Sequence, residues 1–206
     1  MGPQGWWPGQ SPLEVMVGAI LVQNTSWKNV ERAIDNLRHA KLLDARRLLD
    51  ATASVLEQHL HPAGYFRVKA RRLQSLMQYF VSRYDGSIEQ MQKTSTEVLR
   101  NELLAVHGVG PETADSILCY ALDRAVLVVD AYTRRIWARH GWIATDCSYQ
   151  TLQGTLRDGL PVSQPLYNEL HALVVAVGNR YCRRTPRCDE CPLREMLPKG
   201  GVIEGA

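Results

Sequence analysis

The sequence predicts an all-α fold, and three observations carry that expectation. Apolar residues recur at helical spacing over nearly the whole chain. Helix start signals precede several of those stretches. Glycines at 64, 86, 108, 110 and 141 punctuate the boundaries between them. The clearest start is Ser11-Pro12-Leu13-Glu14, read as an N-cap, a proline in the first turn and a glutamate closing a capping box. That helix should run through Val15 to about Gln23. Further helices are expected at about 26–39, 66–84, 95–106, 111–123, 131–140 and 164–181, with shorter ones near 44–59 and 148–158. The one β-like run, Ala125 to Val129, is short and has no obvious partner strand.

A chain of 206 residues can build one sizeable core or two small lobes sharing an interface. With 45% hydrophobic and 22% charged residues it is not a disordered chain. No apolar run approaches the length needed to span a bilayer, and Met1 to Gln10 lacks a basic-then-apolar export signal, which points to the cytoplasm. The net charge of +3 is compatible with a nucleic-acid partner without demanding one. The basic residues are clustered: Arg67, Lys69, Arg71 and Arg72; Arg134, Arg135 and Arg139; and Arg183, Arg184, Arg187 and Arg194. Any one of these groups, taken alone, reads as a solvated helix face. Five cysteines without an export signal argue against a disulfide framework. Cys119 falls in an apolar helical stretch and reads as core, Cys147 is isolated, and Cys182, Cys188 and Cys191 form a group.

The most informative stretch is Leu103-Leu104-Ala105-Val106-His107-Gly108-Val109-Gly110-Pro111-Glu112-Thr113-Ala114. An apolar helix ends, a Gly-x-Gly turn follows, and Pro111 opens the next helix where a missing N–H costs least. Such a turn leaves N–H groups at a helix N-terminus, an arrangement that favours an anion such as a backbone phosphate. A plain helical corner needing glycine for steric reasons is the competing reading. Beyond the next helix, Val126-Leu127-Val128-Val129 ends in Asp130, which opens the stretch Ala131-Tyr132-Thr133. Asp130 could be an N-cap, and apolar neighbours beside a helix terminus could also tune its carboxylate for chemistry.

Gly108-Val109-Gly110, then Thr113-Ala114, then Val129-Asp130, in that order, resembles the helix-hairpin-helix/Gly-Pro-Asp superfamily of DNA glycosylases, in its endonuclease III branch. The resemblance extends over nearly the whole chain. Gln23-Asn24-Thr25 looks like the segment that fills the gap left by an extruded base, with Gln23 entering the duplex. Gly64-Tyr65-Phe66, followed by Lys69-Ala70, looks like the loop whose wedge residue, here Tyr65, props the duplex open. The resemblance implies a two-lobed helical fold that binds double-stranded DNA across a cleft. One lobe would be a helical barrel over residues 10–124, ending in the hairpin. The other would be 125–206, joined by residues 1–9, carrying Asp130 and a C-terminal cysteine loop. His107, Gly108, Val109 and Gly110 would hold a phosphate. A monomer associated with the nucleoid is implied.

Family members that also cut the strand carry a lysine two residues after the second hairpin glycine; Glu112 stands there and cannot form an imine. Asp130 then takes the chemical role, stabilising positive charge on the sugar or orienting water. The chain looks closest to the endonuclease III-type 3-methyladenine glycosylases. It shares with them a Trp6-Trp7-Pro8 start, Trp27 after the Gln-Asn-Thr segment, Glu112, and the segment Ala114 to Tyr120. By that resemblance Trp6, Trp7, Pro8, Trp27 and Glu112 contact the alkylated base. A flipped base needs flat walls to replace its lost stacking. Another substrate on the same scaffold (uracil, mismatched adenine or an oxidised pyrimidine), a lyase using another amine, and a non-catalytic DNA-binding relative are the alternatives.

Cys182-x5-Cys188-x2-Cys191-Pro192 looks like the loop that holds a 4Fe–4S cluster in many relatives, with two departures. The first spacing is one residue short, and Leu197 stands where the fourth cysteine would fall. The options are a cluster with a non-cysteine or distant fourth ligand, a zinc site, or a loop without metal. Because Glu112 replaces the lyase lysine, borohydride reduction during reaction with damaged duplex should trap no covalent protein–DNA adduct; a trapped adduct on a denaturing gel would overturn that expectation.

Overall fold

The computed structural model describes residue 2 and residues 4–203, and among them the chain forms eleven α-helices and no strand. By internal packing it divides into two compact units, Pro8–Arg124 and Met1–Trp7 with Ala125–Ala206. None of its described helices is long and apolar enough to cross a membrane.

The first unit is built around α1 (Pro12–Leu21), which is buried at every position from Glu14 to Leu21. A helix apolar nearly all round belongs at the centre of a core. It packs on α2 (Trp27–His39), α5 (Phe66–Tyr84) and α8 (Pro111–Ser116). Ser11 caps it as expected, its hydroxyl accepting from the Glu14 amide. The expected capping box does not form: the buried Glu14 carboxylate accepts from Arg38 on α2 at 3.0 Å, because that cation is its partner inside the core.

The expected helix near 44–59 is two, α3 (Ala45–Asp50) and α4 (Ala53–Leu60). Thr52 is a second N-cap within the run and Ala51 turns extended before it. A short α6 (Ile88–Gln92), capped by Ser87, was too brief to show a period; α7 (Thr96–Ala105) follows. The expected helix 111–123 begins as α8 and continues as a π-helical turn, Ile117–Ala121.

In the second unit, α9 (Ala131–Arg139), α10 (Tyr149–Asp158) and α11 (Gln164–Arg180) enclose two apolar clusters. The β-like run pairs with no strand. Its Leu127 carbonyl accepts instead from the Gln153 side chain at 2.6 Å, which satisfies a buried backbone group without a sheet. Helices α9 and α11 cross at Gly178, where an added Cβ would lie 2.3 Å from Cδ1 of Tyr132. Gly178→Ala should therefore destabilise the fold by about 1–3 kcal/mol through overpacking, read as a lower urea midpoint; an unchanged midpoint would show that Tyr132 can move aside.

Candidate functional site

Asp130 is both an N-cap and a buried carboxylate. Its Oδ1 accepts from the Thr133 amide at 2.7 Å and from the Thr133 hydroxyl at 2.8 Å, while that hydroxyl accepts from the Asp130 amide at 3.2 Å. This closed capping box starts α9 and pins the side chain. The side chain is only 9% exposed, and Oδ2 faces Nε2 of His171 on α11 at 3.5 Å. Burial alone would raise this carboxyl's pKa, but the facing His171 and the Thr133 donors together hold it below the ordinary carboxylate value.

Trp6 lies in the same unit, edge-on to the His171 ring with centroids 6.0 Å apart. Trp7 stands edge-on to Trp6 at 5.8 Å. The segment is fastened by the Gln4 amide, which donates to both carboxylate oxygens of Glu169 on α11 at 3.1 and 3.2 Å. The Trp6 indole N–H is buried and makes no hydrogen bond among the described residues.

The expected hairpin, gap-filling and wedge residues, with Pro8, Trp27 and Glu112, belong to the unit Pro8–Arg124. Gly108 is in the left-handed region (φ +86°), and a Cβ there would lie 2.2 Å from Cγ of Arg72, so glycine is required twice over. Gly110 differs: its backbone is extended and a Cβ would meet nothing within 4 Å. Nothing inside the fold demands glycine at 110. His107 and Glu112 are exposed, whereas Val109 is buried, its N–H donating to the Val106 carbonyl at 3.1 Å. Pro8 is exposed, and Trp27 opens α2 half-buried.

Gln23 is turned onto the hairpin. Its Nε2 donates to the Gly108 carbonyl at 3.1 Å and to the Thr113 hydroxyl at 3.0 Å, and its Oε1 accepts from Arg72. Tyr65 is 71% exposed in a left-handed conformation at the start of α5. Lys69 is only 2% exposed and donates to the carbonyls of Leu21 and Ala63, both at 2.8 Å. One ammonium thus ties the end of α1, just before Gln23, to the turn before Tyr65. Burial, with Arg72 nearby, lowers its pKa to about 8.

Two of the basic clusters are therefore only in part solvated faces, with Arg67 and Arg71 exposed. Arg72 and Lys69 are spent inside their unit. Arg135 donates to the carbonyls of Cys182 and Gly178, and Arg139 to Cys182 Sγ at 3.4 Å and to the carbonyls of Arg183 and Arg184. These arginines fasten the C-terminal loop to α9. Cys182, Cys188 and Cys191 line one cavity with His140, Leu193 and Leu197. Leu197, in place of a fourth thiol, puts hydrocarbon on that wall. Cys147 packs in the other apolar cluster, and Cys119 is in the core of the other unit. No group of three or more His, Cys, Asp or Glu side chains among the described residues is arranged to hold a metal ion. Three thiols complete neither a four-thiolate cluster nor a four-ligand zinc site.

Residues 17–161 match the HhH-GPD superfamily of base excision DNA repair proteins. The chain belongs to that superfamily. Over 95% of its length it is 46% identical to a candidate DNA repair glycosylase of Methanocaldococcus jannaschii, covering 89% of that protein. It is 29% identical to endonuclease III of Thermotoga maritima, over 89% of this chain and 81% of that one. Among solved structures it resembles the H. pylori 3-methyladenine DNA glycosylase bound to 1,N6-ethenoadenine. The TM-score is 0.77 at 27% identity, with 87% of this chain and 90% of that chain covered. It shares the fold of endonuclease III in a non-covalent DNA complex, with a TM-score of 0.79 at 24% identity over 93% and 85% of the two chains. This HhH-GPD protein is a base-excision DNA glycosylase in general class.

Sequence reasoning passed over His171, Glu169 and Arg72. A single histidine on an apolar helix reads as core, and an arginine in a basic run reads as surface; only packing shows what each meets. Asp130→Asn keeps a capping side chain but removes the charge. Since the folded-state pKa is depressed, the ionised carboxylate contributes stability above the unfolded value of about 3.9. That contribution is lost as pH falls through the lower folded value. Thermal melts should show wild type losing its stability relative to Asp130→Asn over that acid window, and parallel profiles would show no such shift.

Proposed function

We propose that the protein is a monofunctional DNA N-glycosylase that acts as a monomer on double-stranded DNA, releasing an alkylated purine such as 3-methyladenine, with Asp130 as its catalytic carboxylate. One observation carries the reading: a nearly buried carboxylate whose pKa is held low, facing His171, whose ring also meets Trp6 of the same unit. Capping α9 needs only a side-chain acceptor, so the desolvated charge on that acceptor favours catalysis over binding alone.

As the C1′–N bond lengthens, its electron pair moves to the base and positive charge builds on the sugar. The Asp130 carboxylate stabilises that charge where little water competes. Water oxygen then bonds to C1′ and its proton passes to the carboxylate or to solvent. An N-alkylated purine starts cationic and leaves neutral, so a strong general acid is not required. The same cation suits the Trp6 face, which adds about 0.5–2 kcal/mol of cation–π attraction. The H. pylori structure supports this substrate class, since that protein is a 3-methyladenine glycosylase at 27% identity.

Strand cutting has no amine in this reading. Glu112 occupies the lyase position, and Lys69 is engaged by two carbonyls. Gly110, open to the outside, suits a phosphate approaching the hairpin, and the exposed Tyr65 suits a wedge. The cysteine loop, fastened by Arg135 and Arg139, takes no part in the chemistry.

Duplex DNA methylated to contain 3-methyladenine tests the proposal. Wild type should release the free base with strand breaks appearing only after alkali, and Asp130→Asn should release it about 100- to 10,000-fold more slowly. Breaks before alkali would overturn the monofunctional assignment. No release would overturn the substrate, and uracil, mismatched adenine and oxidised pyrimidines would be tried in turn.

A further inference from the structure

Helix α11 sets its core face with Tyr167, His171, Val174 and Gly178, spaced four, three and four residues apart. Three of these positions carry hydrocarbon, a phenol ring or nothing, as a core requires. The fourth carries an imidazole that is 6% exposed. A leucine would fill that place without the desolvation cost of two ring nitrogens. What the histidine reaches is Asp130, 3.5 Å away at the outer limit of a hydrogen bond, and the edge of Trp6.

The two oxygens of Asp130 are not equivalent. Oδ1 is committed to its own helix by both Thr133 donors, and Oδ2 is the one that His171 faces. Glu169, two residues earlier on α11, is taken up by the Gln4 amide. His171 is thus the ionisable side chain that α11 presents to the carboxylate. We propose that His171 is a positioning residue for base release, reserving Oδ2 of Asp130 as the acting oxygen and bracing Trp6 from the same ring. The carboxylate and the tryptophan then share one support, so the atom acting on the sugar and a wall for the base are set together. This inference rests on the glycosylase reading above.

The test uses the full chain with Asp130→Asn, His171→Ala and His171→Gln, single-turnover base release across the acid range, and DNA binding measured separately. His171→Ala should release base about 10- to 100-fold more slowly, the usual size of loss when a partner orienting a site ligand is removed, with binding unchanged. Its acid limb should move to higher pH, because burial of Asp130 would no longer be opposed by the facing ring. His171→Gln places an amide N–H near the position of Nε2 and should restore most of the rate. Wild-type rate and acid limb in His171→Ala would overturn the inference. So would equal losses in Ala and Gln accompanied by equally lowered melting temperatures, the mark of a purely structural role. An Asp130→Asn protein as active as wild type would instead sink the assignment of Asp130 as the catalytic carboxylate, on which this inference rests. In that event, NMR titration of the Asp130 carboxyl in wild type and His171→Ala decides the pairing alone: a raised value in the variant supports it, and an unchanged value overturns it.

Discussion

A carboxylate with less than a tenth of its side chain exposed remains ionised only if its surroundings replace water, and much of the second unit follows from meeting that demand at Asp130. The first replacement is local. The capping box with Thr133 supplies two donors and starts α9 in the same stroke, so the helix cannot form without orienting the side chain. The second is tertiary. His171 must come from α11, and α11 comes close to α9 because Gly178 leaves room for the Tyr132 ring. The N-terminal segment is then held on α11 by Glu169, which brings Trp6 against His171. Backbone cap, helix crossing and aromatic placement are one chain of dependence ending at a single oxygen.

The unit Pro8–Arg124 uses buried cations to similar effect. Lys69 satisfies two carbonyls from segments far apart in sequence, and Arg72 holds Gln23 against the hairpin while its own stem fills the space beside Gly108. Fastened this way, the hairpin, the Gln23 segment and the turn before Tyr65 are held by one buried cation, Lys69, and one half-buried one, Arg72. The C-terminal loop shows the same economy, with Arg135 and Arg139 gripping its carbonyls from α9. In all three places, positive charge that could have met a phosphate is taken up by acceptors of the chain itself, backbone carbonyls for Lys69, Arg135 and Arg139 and the Gln23 amide oxygen for Arg72. Modest net charge is therefore a poor measure of how this chain meets DNA.

Membership of the HhH-GPD superfamily was legible in residues whose constraints are local. A glycine that must be left-handed, a proline at a helix start and a carboxylate at the end of an apolar run each act through their own few bonds, so a linear pattern records them. Long amphipathic helices were legible for the same reason. The break at Thr52 and the short α6 were not, since a cap inside a periodic run and a five-residue helix leave too little pattern. Glu14 was assigned to a capping box because its spacing fits one. Its real partner, Arg38, sits on another helix.

What the sequence determined by itself, then, was the helical class, the hairpin and the candidate carboxylate, all set by backbone preference and hydrophobic period within a few residues. What only the tertiary structure decided was which side chains are already engaged: Lys69 and Arg72 inside their unit, Arg135 and Arg139 on the loop, and His171 beside Asp130. The physical reason is that a cation or an imidazole has the same local signature on a wet surface as in a core. Its partner is fixed by helices that meet only when the chain is folded, and the cost of leaving it without one is felt only once water has gone.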